Sequence, residues 1–328
     1  MALSFFGFRS WRFPIAGALL VLGGVVSAQQ TVFRGSNITI PVYATVLGAD
    51  GRLLTDLGKD DFEILDNGKP QNITVFSNDL QPITVVLLID RSGSVVRDFD
   101  LVSEAAGRFV DDLLPGDQAR IGSFADRVQV DPQTFTSDKD EMRRILATQL
   151  QEPGPTPLWN AVSVGMTALL HVEGRRVVLV FTDGADEPGT ERATNVSLKE
   201  VLDRARDEDV MVYTIGLNGS GRGTFRRSGR TGGFGAGYGR GGGFSGGPGP
   251  DQGLATLAAQ SGGGHFVLTS ARDLSATFAK VADELHHQYA LGFTAPASDG
   301  KVHTLEVRVK PAGATVRART SYVAPRKR

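Results

Sequence analysis

PITVVLLIDRSGSVV, residues 82–96, couples an almost unbroken apolar run to an aspartate followed by two hydroxyls at alternate positions. A strand with one wet face alternates apolar and polar residues. The absence of alternation over 83–89 implies a strand buried on both faces, as in a parallel sheet covered by helices. RVVLVFTDG (176–184) and VMVYTIGL (210–217) have the same character.

Helical spacing fills the intervals. Val102, Ala106, Phe109, Val110 and Leu113 share one face, with Pro115-Gly116 punctuating the end. Met142, Ile145 and Leu146 mark a second helix, residues 158 to about 171 a third and 196–207 a fourth. GLATLAAQ (253–260), the strand GHFVL (264–268) and a helix over 273–288, striped by Leu274, Phe278, Val281 and Leu285, continue the pattern. Strands alternating with helices predict an α/β fold over 83–288 with a doubly wound, mostly parallel, Rossmann-like sheet.

Outside this unit the chain reads as β-structure. ITIPVYATV (38–46) places Ile38, Ile40, Val42, Ala44 and Val46 on one face, and DFEILDNGKPQNITVF (61–76) carries two apolar segments around Asn67-Gly68, a pair suited to a tight hairpin. These define an N-terminal β domain over 30–79. The stretches over 288–293, 303–310 and 314–323 return to period two. The expectation is therefore a flanking β-sandwich to which the N-terminal strands and the C-terminal strands of 289–324 both contribute.

Composition narrows the function classes. The 328 residues carry 35 basic and 36 acidic side chains and no cysteine. This balance gives no global reason to expect nucleic acid or an anionic membrane as partner, and disulfides and thiol chemistry are excluded. Arg9 and Arg12 precede an apolar run over 13–26 and the small residues Val26-Ser27-Ala28, which read as a signal peptide over 1–28, cleaved after Ala28. The alternative is an uncleaved anchor, although about 14 apolar residues fall short of the roughly 20 that a spanning helix needs. Export to the periplasm, the medium or the cell surface follows from cleavage. Residues 218–250 combine dense glycine with five arginines and no acid, predicting a disordered insertion in the α/β unit rather than an RNA-binding segment. Nothing in the sequence indicates an oligomeric state.

In an open parallel sheet, ligands bind beyond the carboxyl ends of the strands. Asp90 stands at such an end, and alternate spacing lets Asp90, Ser92 and Ser94 aim oxygens at one centre. Asp183 is delivered by a second strand of the same kind, and Thr156 lies in the turn GPTPLWNAV ahead of a helix, where a hydroxyl caps or ligates. Hard oxygen donors without nitrogen or sulfur suit Mg²⁺ or Mn²⁺. The competing explanation is that the serines merely cap the following helix.

D-x-S-x-S, then a loop threonine, then an aspartate in a T-D-G turn resembles the metal-ion-dependent adhesion site of the von Willebrand factor type A domain, and the resemblance covers about residues 83–288. It implies that Ser92 and Ser94 touch the metal directly, while Asp90, Thr156 and Asp183 ligate directly or through water. It implies, too, a non-catalytic module whose cation is completed by an aspartate or glutamate of a protein partner. The flanking patterns look like an exported bacterial subgroup of related proteins. A structural envelope scaffold with a stabilising metal, and a metal-dependent hydrolase using Asp90, are the alternatives. In metal-switching relatives the last helix, here 273–288, moves on ligand binding. Two departures bear on the site: Arg91 puts a cation beside it, and Pro155 and Pro157 stiffen the loop around Thr156. Asp186 and Glu187 read as a solvated loop, and the five histidines show no metal-ligand spacing.

Overall fold

The structure is a computed structural model describing residues 38–93, 95, 98–151, 153–184, 186–187, 195–218 and 251–326. The expected signal peptide, Ser94 and all of the glycine-arginine segment except Asn218 lie outside these residues. The chain begins with β1 (Thr39–Leu47), β2 (Phe62–Asp66), β3 (Lys69–Gln71) and β4 (Ile73–Ser77). The α/β unit follows: β5 (Ile83–Asp90), α1 (Phe99–Asp112), β6 (Gln118–Phe124), β7 (Val128–Thr136), α2 (Lys139–Thr148), α3 (Leu158–Ala168), β8 (Arg175–Thr182), α4 (Leu198–Asp207), β9 (Val210–Leu217), α5 (Gly253–Ser261), β10 (His265–Leu268) and α6 (Leu274–His286). Four strands end the chain: β11 (Tyr289–Thr294), β12 (Val302–Val309), β13 (Thr315–Arg317) and β14 (Ser321–Val323).

The central sheet has the order β10-β9-β8-β5-β6-β7, parallel except for the antiparallel edge strand β7. Its two faces account for the unbroken apolar strands. In β5, Ile83, Val85, Leu87 and Ile89 join a core with α1, α2 and α6, whereas Val86 and Leu88 join another with α3, α4 and α5. Burial of each such side chain stabilises the fold by about 1.5–3 kcal/mol, so one polar replacement in β5 damages a whole layer. On the first face, the Phe109 ring meets Phe278 edge-on, 6.2 Å between centroids, locking α1 against α6.

Two helix ends differ from expectation for local reasons. The helix expected from 196 starts at Leu198 because Ser197 caps it: its hydroxyl accepts the Glu200 N–H, and the Glu200 carboxylate accepts the Ser197 N–H in return. The one expected to about 171 ends at Ala168 with Leu169 as cap.

The terminal strands build two antiparallel sheets, β13-β1-β11-β4 and β14-β12-β2-β3, each mixing N- and C-terminal segments. They share one core of Val42, Ile64, Tyr289, Leu291, Phe293, Leu305 and Tyr322 among others, which makes a sandwich. The turn at Asn67-Gly68, both at positive φ (48° and 76°), joins β2 to β3, so FEILD pairs with KPQ and not with ITVF. ITVF instead forms β4 and crosses to the other sheet, beside β11.

Only His287 and Gln288 separate α6 from β11, and the α/β unit meets the sandwich there through buried polar groups. The Gln288 amide donates to Thr45 Oγ1 on β1 at 2.9 Å. The Arg175 guanidinium at the start of β8 donates to the carbonyl of Gln81 at 3.1 Å, to that of Leu285 and to the side-chain oxygen of Gln288. Among the described residues no helix is long and apolar enough to cross a membrane.

Candidate metal centre

β5 and β8 are adjacent and parallel, so Asp90 and Asp183 emerge side by side at the carboxyl edge of the sheet. Asp90 is fully buried, and Ser92, Thr156 and Asp183 are only 5%, 5% and 7% exposed. One Asp90 oxygen accepts the Ser92 N–H at 2.7 Å, and the other accepts the Thr182 hydroxyl at 2.5 Å. Ser92 Oγ lies 3.4 Å from Asp183 Oδ1. Burial raises the Asp90 carboxyl to about 6 despite the bonds from Thr182 and Ser92, and the neighbouring Asp183 pushes the same way. Two buried carboxyl groups that feel each other's charge make the ionised form of Asp90 costly.

Thr156 is placed from two directions. Its backbone pairs with Glu187, donating to the Glu187 carbonyl at 3.2 Å and accepting the Glu187 N–H at 2.9 Å. Two residues earlier, Gly154 bridges to Ser92 and donates to the Arg91 carbonyl at 3.1 Å. A Cβ on Gly154 would lie 2.8 Å from Asp126 Oδ1 and 2.9 Å from the Asp126 nitrogen, so only glycine allows this approach. The D-R-S strand end, the proline loop and the T-D-G turn are thereby tied through their backbones.

The capping alternative fails for Ser92. α1 begins only at Phe99 and has no side-chain cap, while the Ser92 hydroxyl faces Asp183. Thr156 does not cap α3 either; Asp186 does, accepting the Trp159 N–H at 3.3 Å, and burial raises its carboxyl. Asp186 and Glu187 are therefore not merely a solvated loop, since one starts α3 and the other positions Thr156. Arg91 is turned aside: its guanidinium lies 3.6 Å above the Phe99 ring and its Nε donates to the Gln151 carbonyl at 2.8 Å. Ser94 lies outside the described residues.

The donor set is chemically uniform: two carboxylates and two hydroxyls among the described residues, all hard oxygens suited to Mg²⁺ or Mn²⁺. No group of three or more His, Cys, Asp or Glu positioned for a metal occurs among those residues, so any cation here depends on the hydroxyls. Sequence reasoning missed Thr182, whose hydroxyl fixes Asp90; its one signal was its place immediately before Asp183. The buried histidines lie elsewhere. His286 bonds Asp117 at 2.7 Å, and His303 bonds Asp66 at 2.8 Å inside the sandwich.

With this arrangement in place, comparison with known families is decisive. The sequence profile of the von Willebrand factor type A domain matches residues 84–274, more than half of the chain. The chain belongs to the von Willebrand factor type A family. Members are generally protein-interaction modules. Similar solved structures include a von Willebrand factor type A protein from Catenulispora acidiphila (10% identity, 89% of this chain and 76% of that one, TM-score 0.48). Proximal thread matrix protein 1 of the mussel byssus matches at 19% identity and TM-score 0.47, over 66% of this chain; the match spans about half, 49%, of the mussel protein. BatB from Bacteroides thetaiotaomicron matches at 18% identity and TM-score 0.42, over 62% of this chain and 98% of its own. No curated protein matches the chain.

Proposed function

We propose that this von Willebrand factor type A chain is an exported, non-catalytic adhesion module in which Asp90, Ser92, Ser94, Thr156 and Asp183 hold Mg²⁺ or Mn²⁺. An aspartate or glutamate of a protein partner completes the coordination. The observation that carries the proposal is the meeting of buried Asp90, Ser92 and Asp183 at one sheet edge, to which the loop bearing buried Thr156 is tied through its backbone. When bound, a divalent cation supplies an electrophilic centre for an anionic oxygen. Asp90 and Asp183 offer only two formal charges, which favours a further anion from outside. Thr182 and the Ser92 N–H hold Asp90 in place, and the Glu187 pairing holds Thr156. A non-catalytic role is favoured because the buried histidines, common activators of a serine, are engaged elsewhere, His286 with Asp117 and His303 with Asp66. Export rests on Arg9, Arg12, the apolar run and Ala28, and intact mass of the secreted chain would read the cleavage point.

A second role, a structural scaffold stabilised by the metal, is favoured by the buried Asp90 carboxyl near 6, because a cation that neutralises it strengthens the fold. Calorimetric titration of Mg²⁺ and Mn²⁺ into the mature protein, beside the double variant Asp90→Ala, Ser92→Ala, tests both. Binding lost in the variant supports the site, and equal binding refutes it. If metal removal abolishes partner capture but leaves melting nearly unchanged, adhesion stands; a large fall in melting temperature favours the scaffold.

A further inference from the structure

In the sandwich, N-terminal and C-terminal segments meet around a buried histidine. His303 lies on β12, with Tyr322 of β14 directly opposite it in register and β2 on the other side of the strand. It is 5% exposed, and Asp66, the last residue of β2, is 4% exposed. Nδ1 of His303 lies 2.8 Å from Asp66 Oδ1 and 3.1 Å from Asp66 Oδ2. Its Nε2 lies 3.4 Å from Oδ1 of Asp299, in the connection between β11 and β12. The Tyr322 hydroxyl donates to Asp66 Oδ1 at 2.9 Å, and its ring centroid is 5.4 Å from that of His303.

Two carboxyl groups thus bracket one imidazole. A neutral ring has one N–H and one lone pair, so it turns the lone pair toward one of the two acids, whereas the imidazolium presents an N–H to both. The other groups around the ring do not take over this role. Burial pushes the Tyr322 phenol up and the bond to Asp66 pushes it further, so it stays protonated. Arg319 lies 5.9 Å from the centroid of the Tyr322 ring, but its guanidinium donates to Asp209 and to the Pro41 carbonyl. The Lys301 N–H donates to Asp299 Oδ1 at 3.0 Å; this bond first, and then His303, holds the Asp299 carboxyl below its usual range. The Arg326 side chain lies against Gly300. Among the described residues, His303 is the one titratable base in contact with both acids.

The two acids sit on segments that the ring joins. Asp66 precedes the Asn67-Gly68 turn, where the Asn67 N–H donates to the Thr304 carbonyl at 2.9 Å. Asp299 opens the stretch that receives the C-terminal residues: the Gly300 N–H donates to the Pro325 carbonyl at 3.2 Å, and the Ala324 N–H to the Lys301 carbonyl at 2.8 Å. We propose that His303, charged between Asp66 and Asp299, is a pH-sensitive latch that fastens the connection at 299–301 and the strand β14 to the N-terminal β2–β3 hairpin. Histidine is the side chain that ordinarily changes charge near neutral pH, and here the charged form is the one that makes both contacts. The latch therefore closes on the acid side and loosens as pH rises. It is independent of the metal centre.

Hydrogen exchange on the full chain tests the latch. Protection of the Gly300 and Ala324 amides is corrected for intrinsic exchange and referred to the Leu291 amide in β11, which removes pH effects on the whole fold. Between about pH 6 and about pH 8.5 it is expected to fall about tenfold or more in the wild type. The fall should vanish in His303→Gln, whose side-chain amide still donates to Asp66 but has no charge to lose. Asp299→Asn changes an exposed residue, keeps the fold if His303→Gln does not, and is expected to shrink the fall by removing one of the two acids. Equal protection at the two pH values, or a fall of wild-type size in either variant, overturns the proposal.

Discussion

The two edges of the central sheet carry opposite charge problems. At the carboxyl edge, Asp90 and Asp183 bring buried negative charge together, and the surrounding donors are a backbone N–H and hydroxyls. At the amino edge, Arg175 is buried among neutral oxygens, with Arg176 and Arg319 beside it. Between them the strands are almost wholly apolar. A strand buried on both faces therefore confines its polar groups to its ends. The carboxyl end carries the buried acidic groups, and at the amino end the sandwich lies against the strands.

Substitutions at each edge probe this contrast. The largest effect is expected from Arg175→Ala, which orphans the Gln81 and Leu285 carbonyls and the Gln288 oxygen and opens a cavity. It should cost about 3–5 kcal/mol, read by urea unfolding, and the α/β unit and sandwich should then melt apart. A single unchanged transition would show that the seam does not couple them.

At the other edge, Asp90→Asn keeps shape but removes a buried charge. The carboxyl at about 6 in the fold, against an ordinary 3.8, is ionised at neutral pH at a cost to the metal-free state. The variant should therefore be more stable than wild type in chelator, by about 2–3 kcal/mol at pH 7–8, while losing Mg²⁺ affinity. Lower stability in chelator would mean that the Thr182 and Ser92 bonds outweigh desolvation.

Thr182→Val takes away the hydroxyl on Asp90 Oδ2. The expected cost is about 1–2 kcal/mol, with a roughly tenfold or greater fall in metal affinity measured by calorimetry. Unchanged affinity would show that Asp90 needs no support.

The smallest effect belongs to Tyr213 at the seam, whose hydroxyl lies 3.5 Å from Thr45 Oγ1 and 3.4 Å from the Gln288 amide, and which burial pushes up to about 12. A phenol whose folded value is raised binds its proton more tightly in the native state, so its ionisation costs stability as pH rises from about 10 through 12. Tyr213→Phe should cost no more than about 1 kcal/mol at neutral pH and flatten that alkaline decline. An identical decline in both proteins would assign it to other groups.

Much of this architecture is legible in the residue pattern alone. The unbroken apolar runs of β5, β8 and β9 announce two buried faces, helical spacing supplies the covering layers, and the Asn67-Gly68 pair marks its turn. Asp90, Ser92 and Asp183 are readable because a parallel strand's carboxyl end is a fixed place in the fold. The exchange of β4 into the other sheet is not, because period-two alternation says which face is buried and never which strand is the neighbour.

Periodicity and residue type are local properties, so the amino-acid order was enough to specify the class of fold and the chemical character of an oxygen-rich strand edge. The remaining features depend on groups remote along the chain meeting in space, and folding alone brings them together. Asp186 caps a helix begun by Pro157, Gly154 slips past Asp126, and Thr182 grips Asp90. Arg319, far along the chain from Arg175 and Arg176, comes beside them because the sandwich closes on the central sheet there.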